Sequence, residues 1–411
     1  MEDTVDYIKQ FLLYGNKEAA KWVGYTRNQD EWEQYKLVIV PGDNLLTGEK
    51  KDWTIPDFTK PPKAEKQGEI IDEFGETTGG TWIIEQDIIY NALFLLSQAE
   101  LTMDLPRDKH GRLACKDSAL GSQGMMTIPV LDEYSRLVTK LLEQALPEQH
   151  FSKIYLTHDV DFLTSYRHPR GFLGAIRRGH LRDALKALHM LENDPAYTFR
   201  WMHALDARVT GAEEVYFLKA TQGKGYDYHQ YKLGGSDFSA FVELLYEEDA
   251  SIGLHSSYYA TEHKSFLEER KRLEEYVSDD VLYHRSHYLR INSDADLIAL
   301  ANAGITDDFS LGWSDHIGFR FGTTRPAQFI NPSTLEVTDL TIHPLAIMDR
   351  TLSNKNYMHL SEEEAYYAAQ QLIDKVRQHG GELVLLWHNT NFGPDTYHKQ
   401  LYKEIIDYLC E

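Results

Sequence analysis

Thr157-His158-Asp159-Val160-Asp161 puts two carboxylates two residues apart, directly after the apolar run Ile154-Tyr155-Leu156. In an extended chain residues i and i+2 project to the same side, so both carboxylates can face one pocket. Two like charges held that close need a cation or a shared proton between them. Polar residues recur beyond later strand-like runs: His255, then Arg285 and His287, then Asp307 and Asp308, and finally His388. If the runs are parallel strands of one barrel, their ends converge and one pocket can hold all of these groups. A glycosidase pair is the weaker reading of Asp159 and Asp161, because that chemistry needs carboxyl groups about 5–9.5 Å apart across a sugar.

The elements that must position these groups are legible as an alternation. After residue 150, strand-like runs at 153–157, 214–220, 251–255, 281–285, 340–345 and 383–387 alternate with helical patterns near 236–248, 264–277, 293–303, 361–379 and 396–410. Such alternation predicts βαβ units, and this many over about 260 residues favours an α/β fold with a distorted (β/α) barrel of about seven strands. A helical insertion, 162–212, follows the first strand. Its first part, 162–200, carries seven Arg and Lys (167, 170, 177, 178, 182, 186, 200) against three acids (183, 192, 194), which reads as a solvated helix face or as an attractor for an anionic glycan. The first half, 1–149, reads as a small α/β accessory domain. It has an amphipathic stretch at 7–13, a buried strand Leu37-Val38-Ile39-Val40, an exposed Lys/Pro-rich loop at 60–67, and helices at 85–100 and 130–146. Pro147-Glu148-Gln149-His150 marks the boundary with a second domain, 150–411.

The chain has 411 residues, long enough for two or three domains or for a barrel with an accessory domain, and a formal charge of −22. That charge argues against nucleic acid and disfavours anionic membranes, since both need a basic footprint. Cys115 and Cys410 are too few for a disulfide framework and too isolated for a zinc cluster. The sequence contains neither a signal-peptide pattern nor eighteen consecutive apolar residues, which predicts a soluble, cytoplasmic protein without membrane insertion, and nothing in it suggests a protein partner.

Over 150–411 the order of motifs resembles the polysaccharide deacetylase family, carbohydrate esterase family 4, also called the NodB homology domain. Thr157 to Asp161 is similar to the family's first motif, which implies that Asp159 is a general base and Asp161 a metal ligand. Glu214-Val215-Tyr216-Phe217-Leu218 resembles its second strand. Ile252-Gly253-Leu254-His255-Ser256-Ser257 resembles the second motif, which makes His255 a ligand, but Tyr259 stands where a second histidine is usual. His263 and His287 are the alternatives for the third ligand, the latter within Arg285-Ser286-His287-Tyr288, which is similar to the third motif. The resemblance implies that Arg285 orients the base with Asp308 as its partner, and that His388, in Leu383-Val384-Leu385-Leu386-Trp387-His388, is the general acid. His287 to Arg290, Gly318 to Gly322 and Asp349 resemble a Bacteroidetes-type subgroup found beside surface-polysaccharide genes, whose N-terminal domain 1–149 is similar to, notably at 85–89 and 129–133.

The chemistry suits these residue types. Amide hydrolysis needs an activated water, a polarised carbonyl and a protonated leaving amine; a divalent metal with a carboxylate base serves the first two and a histidine the third. A His and carboxylate set favours zinc, with cobalt, nickel, manganese or magnesium as alternatives. The expectation is a metal-dependent hydrolase that removes acetyl groups, N-acetyl before O-acetyl, from a sugar of a bacterial surface polysaccharide or its precursor. The alternative is a catalytically impaired, glycan-binding relative with a degraded metal site. Tyr258, Tyr288 and Trp313 are candidates to stack on the sugar, although aromatics at such positions are more often core.

Overall fold

The computed structural model describes residues 1–43, 53–71, 77–221, 225–228, 231–392 and 396–411. In the first half, strands β1 (Val23–Tyr25), β2 (Leu37–Ile39), β3 (Ala64–Ile71) and β4 (Thr77–Ile84) form a sheet in the order β1-β2-β4-β3. The pairs β1–β2 and β2–β4 are parallel, and β3 runs antiparallel along β4. The stretch 60–67, expected to be an exposed loop, departs from that reading from Ala64 onward, where it becomes β3. The reason is its place at the sheet edge, where charged residues are tolerated and even protective, so its polarity concealed a strand. Helix Ile88–Leu96 is buried on every side, which explains a sequence apolar but for Tyr90 and Asn91, and Asp87 caps it by accepting from the Tyr90 backbone N–H at 2.8 Å.

The second half contains β5 (Lys153–Val160), β6 (Ala212–Leu218), β7 (Ser251–Ser256), β8 (Tyr283–Ser286), β9 (Asp307–Asp308), β10 (Ala327–Ile330), β11 (Val337–Ile342), β12 (Leu345–Met348) and β13 (Glu382–Leu386). They form one sheet in the order β10-β11-β9-β8-β7-β6-β5-β13-β12, parallel throughout except for β10 against β11. Helices Ser236–Glu247, His263–Glu274, Asp294–Asn302, Glu362–Gln378 and Thr396–Leu409 fall between or after the strands as the alternation predicts. Among the described residues the strands of this sheet number nine where about seven were expected: β9 has two residues and β10 is an antiparallel addition, and neither is long enough to leave a periodic signal.

The sheet must curl. β11 and β12 lie towards opposite ends of the strand order, yet only His343 and Pro344 connect them. Tyr155 on β5 and Phe309 just after β9 are four strand spacings apart, roughly 19 Å on a flat sheet, but their rings approach to 5.1 Å. They belong to an interior apolar cluster with Val215, Phe217, Leu345 and Leu386. His343 closes the bottom of the curl, with Nδ1 2.7 Å from Glu382 at the start of β13 and Nε2 2.9 Å from Asp307 on β9.

The expected boundary at 149/150 divides the chain without dividing its core. One apolar cluster runs from Ile8, Leu37 and Leu131 into Leu300, Leu311 and Ile342. Buried Asp132 fastens the two halves, accepting from the Thr324 backbone N–H at 2.6 Å and from Arg325 Nε at 2.7 Å. The insertion after β5 forms helices Pro169–Arg177, Leu181–His189 and Phe199–Asp206.

Candidate active site

Alternation along β5 turns Thr157 and Asp159 into the curl and His158 away from it. His158 is fixed on the outside, with Nδ1 3.0 Å from the Trp387 carbonyl and Nε2 2.9 Å from Asp206. On the inside, Arg285 reaches across from β8, donating from Nη1 to Thr157 Oγ1 at 2.8 Å and to Asp159 Oδ1 at 3.3 Å, and from Nε to the Phe309 carbonyl at 3.0 Å. Its guanidinium lies 4.6 Å from the centre of the Phe217 ring. Gly253 makes room for that ring, because a Cβ there would come within 2.6 Å of it. Arg285 and Asp308, expected to be partners, make no hydrogen bond or ion pair, and Asp308 acts on Arg285 through its charge alone. Asp308 instead accepts from its own Ser310 and holds His284 Nδ1 at 2.7 Å. His284 and Asp308 are register partners, and alternation puts His284 on the face opposite to Arg285.

Asp161, His255 and His287 meet at the end of the strands, and a ligand atom from each lies within 4.8 Å of the others. His287 Nε2 is 3.3 Å and His255 Nε2 3.8 Å from Asp161 Oδ1. Both imidazoles are oriented from behind: His255 Nδ1 donates to the Arg285 carbonyl and His287 Nδ1 to Asp227 Oδ1, each at 2.9 Å. Those partners place a proton on each Nδ1 and turn each Nε2 towards Asp161, the orientation a histidine metal ligand needs. Burial holds His255 down to about 3, so it stays neutral at physiological pH. Immediately after His287 the chain turns through two left-handed residues, Tyr288 (φ 63°) and Leu289 (φ 53°), a local strain of the kind found where surrounding structure fixes a functional group.

A cation already sits against this trio. Lys219, the residue after β6, places Nζ 2.6 Å from Asp161 Oδ1 and 3.0 Å from His287 Nε2. Burial opposes the Asp161 charge, but Lys219 and then the two histidines outweigh it and hold the carboxyl well below the usual range. The ammonium is near Oδ1 yet not aligned for a hydrogen bond, so this buried oxygen has no directed donor. An oxygen without an aligned donor and two imidazole nitrogens, one of them holding the Lys219 ammonium, converge in a donor set that fits a divalent ion provided Lys219 gives way.

His388, beyond β13, faces the trio from the other side, with Nε2 3.9 Å from Asp159 Oδ2. Asp349, at the start of helix Asp349–Ser353, receives His388 Nδ1 at 2.9 Å, the His388 backbone N–H at 2.8 Å and Asn391 Nδ2 at 2.5 Å. Burial opposes the imidazolium, but Asp349 and then Asp159 outweigh it and raise His388 above the ordinary value. These groups line a cleft of about 450 Å³ whose walls include Tyr226, Tyr288, Tyr357 and, from the first half of the chain, Arg112. Arg112 is held there by Asp108 at 2.7 Å and by the Tyr288 carbonyl at 2.8 Å.

Three expected positions lie elsewhere. His263 opens helix His263–Glu274 with its side chain exposed, because a helix starts there instead of the strand end it would need as a ligand. Trp313 is buried in the large apolar cluster. Tyr258 is also buried, with its hydroxyl 3.1 Å from His110 Nδ1, so it stands behind the cleft wall. Lys219 and Asp227 were missed. Lys219 obeys the same rule as the others, a polar residue just past a strand, whereas Asp227 lies in a loop that carries no such signal.

The chain matches a family model over residues 8–147, the Family of unknown function (DUF7033). No curated protein matches it. Among solved structures, a protein from Mycobacterium smegmatis described as a candidate polysaccharide deacetylase is 14% identical, with 65% of this chain and 86% of that one covered at a TM-score of 0.43. A mutant of a CE4 family pseudoenzyme with restored enzymatic activity is 11% identical, with 84% and 92% covered at a TM-score of 0.28. At identities and TM-scores this low, the site is read from its own geometry.

Proposed function

We propose that this protein is a metal-dependent hydrolase that removes an acetyl group, N-linked before O-linked, from a sugar of a bacterial surface polysaccharide or its precursor. The observation that carries the reading is the convergence of Asp161, His255 and His287 beside a separate carboxylate, Asp159, and a separate imidazole, His388. Asp161, His255 and His287 would hold the metal, zinc before cobalt, nickel, manganese or magnesium. A divalent ion held there would supply Lewis-acid polarisation of the acyl oxygen and would lower the pKa of water to about 7.

The remaining work falls to the chain. Asp159, clamped by Arg285, takes a proton from the attacking water as its oxygen bonds to the acyl carbon. The carbon–nitrogen bond then breaks, and the amine leaves with a proton from His388 Nε2, which Asp349 keeps charged and aimed. The products are acetate and a free amino sugar. Tyr288 and Tyr226 offer ring faces for the sugar at the cleft wall. The 1–149 accessory domain contributes Arg112 to that wall, and the barrel 150–411 contributes the reacting groups.

A second reading, an impaired glycan-binding relative, is favoured by Lys219, whose ammonium occupies the face the metal needs. Acetate release from N-acetylated glycans by metal-replete protein separates the two. The expected result is turnover that a chelator abolishes, a divalent ion restores and Asp159→Asn lowers by at least about 100-fold. No bound metal after metal-replete refolding, with no turnover on acetylated glycans and glycan binding retained, would favour the second.

A further inference from the structure

The helical insertion presents its apolar residues outward. In helix Leu181–His189 the buried side chains are Ala184 and Ala187, whereas Leu181, Leu185 and Leu188, spaced i, i+4 and i+7, are 46%, 52% and 46% exposed. Helix Pro169–Arg177 repeats the pattern, with Ala175 buried and Leu173 and Ile176 at 55% and 39% exposed, and Met190 follows at 52%. Six of the ten exposed Leu, Ile and Met side chains among the described residues fall between 173 and 190. A helix that serves only the fold buries its leucines and exposes its polar face. These two do the reverse, so the expected solvated face is instead a leucine face.

Its border is basic. Arg170, Arg177, Arg178, Arg182 and Lys186 stand against a single acid, Asp183, on a chain whose formal charge is −22. At 100° per residue, Arg182 and Lys186 border the Leu181–Leu185–Leu188 stripe on the side away from the buried alanines, and Arg170 and Arg177 border Leu173–Ile176 in the same way. The two helices form a hairpin closed by Gly179 at φ +84°, where the His180 backbone N–H returns to the Ala175 carbonyl at 2.9 Å. Arg167 fastens the hairpin to the body, pairing with Asp237 at 2.7 Å and donating to the Ala187 carbonyl at 2.6 Å. The hairpin follows Phe162, which lines the cleft, and His168, which caps its first helix, packs its ring 6.4 Å from that of Tyr228 on the cleft wall, so the base of the hairpin stands beside the cleft.

We infer that this hairpin is an interfacial docking surface for an anionic membrane, with its leucines in the acyl boundary and its arginines at the headgroups. Exposed apolar side chains flanked by Arg and Lys on amphipathic helices match such a surface chemically. The concentration of positive charge in one hairpin of an acidic protein selects an anionic partner over a neutral one and orients the molecule as it approaches. Among the described residues no helix is long and apolar enough to cross a membrane, so the contact is peripheral. It brings the cleft mouth to the bilayer surface, where a glycan attached to a lipid would be presented.

The test is co-sedimentation of the full chain with vesicles of phosphatidylglycerol and phosphatidylcholine in equal parts, compared with phosphatidylcholine alone. The expected result is binding to the anionic vesicles at low ionic strength and at least tenfold weaker binding to neutral ones. Both Leu185→Gln with Leu188→Gln, and Arg178→Gln with Arg182→Gln, should weaken the anionic binding at least tenfold while leaving the thermal midpoint unchanged, since all four side chains are exposed. No binding to anionic vesicles at millimolar lipid would overturn the inference, as would binding that both double variants retain. Light scattering that shows a dimer broken by the leucine variants would assign the face to a second copy of the chain and would also overturn it. None of these outcomes depends on deacetylation.

Discussion

Replacing Lys219 by Met keeps the length of the side chain and removes its charge from the place the metal must take. The Nζ–Oδ1 separation of 2.6 Å sets a ceiling of about 6 kcal/mol on the attraction at an effective dielectric of about 20. Asp161 is 23% exposed, and the lysine recovers hydration when displaced, so most of that figure is offset. A remainder of about 1.5–3 kcal/mol corresponds to roughly a 10- to 150-fold change in affinity. The sign is fixed by the geometry. In the wild type a divalent ion must break the Lys219–Asp161 pair, whereas in Lys219→Met it meets an unpaired carboxylate. Competition against a chromogenic chelator, starting from stripped protein at pH 7.5, should therefore give a zinc Kd at least tenfold tighter for Lys219→Met. An equal or weaker Kd, with the variant folded, would refute the reasoning and make the ammonium a bystander to the site.

Other consequences concern protons. Because Asp349 holds His388 above its ordinary value, the general acid stays protonated past pH 6.5, and the alkaline fall in activity should begin only above that point. Asp349→Asn removes the charge and should move the alkaline limb of the pH–rate profile down by about 1–3 units; an unmoved limb would assign that proton to another group. His343 tests the closure of the barrel. Burial opposes its charge, but Asp307 and Glu382 raise it to about 9. A group raised on folding contributes its full stability below the unfolded value near 6.5 and loses it as pH rises through the folded value. Denaturant unfolding should therefore show roughly 2–3 kcal/mol lost between pH 6.5 and pH 9.5, and His343→Asn should flatten that slope; a wild-type slope surviving in the variant would remove His343 as its source.

The fold was legible where elements were long and their burial uniform. Strands such as β5 and β13, buried on both faces of a parallel sheet, read as continuous apolar runs, and helix Glu362–Gln378 was legible from its helical pattern near 361–379. β9 and β3 were not legible, the first because two residues carry no period and the second because an edge strand carries charge. Of the site, the groups at strand ends were visible because alternation and topology bring such ends together. Pairing across the sheet was not: Asp308 was assigned to Arg285 because sequence alone does not set the register that gives it to His284. His263 was a candidate on spacing alone, and a helix begins there. Lys219 was open to the same reasoning that found His255, whereas Asp227 reaches His287 from a loop, where only the folded backbone sets position. The insertion's positive charge was visible, but the outward direction of its leucines depends on which faces the alanines bury.

The central claim is that Asp161, His255 and His287 hold a divalent metal. Soaking or co-crystallising the protein with zinc and recording anomalous scattering at its edge measures this directly. The account predicts one strong peak per chain among Asp161 Oδ, His255 Nε2 and His287 Nε2, with Lys219 Nζ displaced, and loss of the peak in His255→Ala. A map with no peak there, and Lys219 still seated against Asp161 at millimolar zinc, would contradict it.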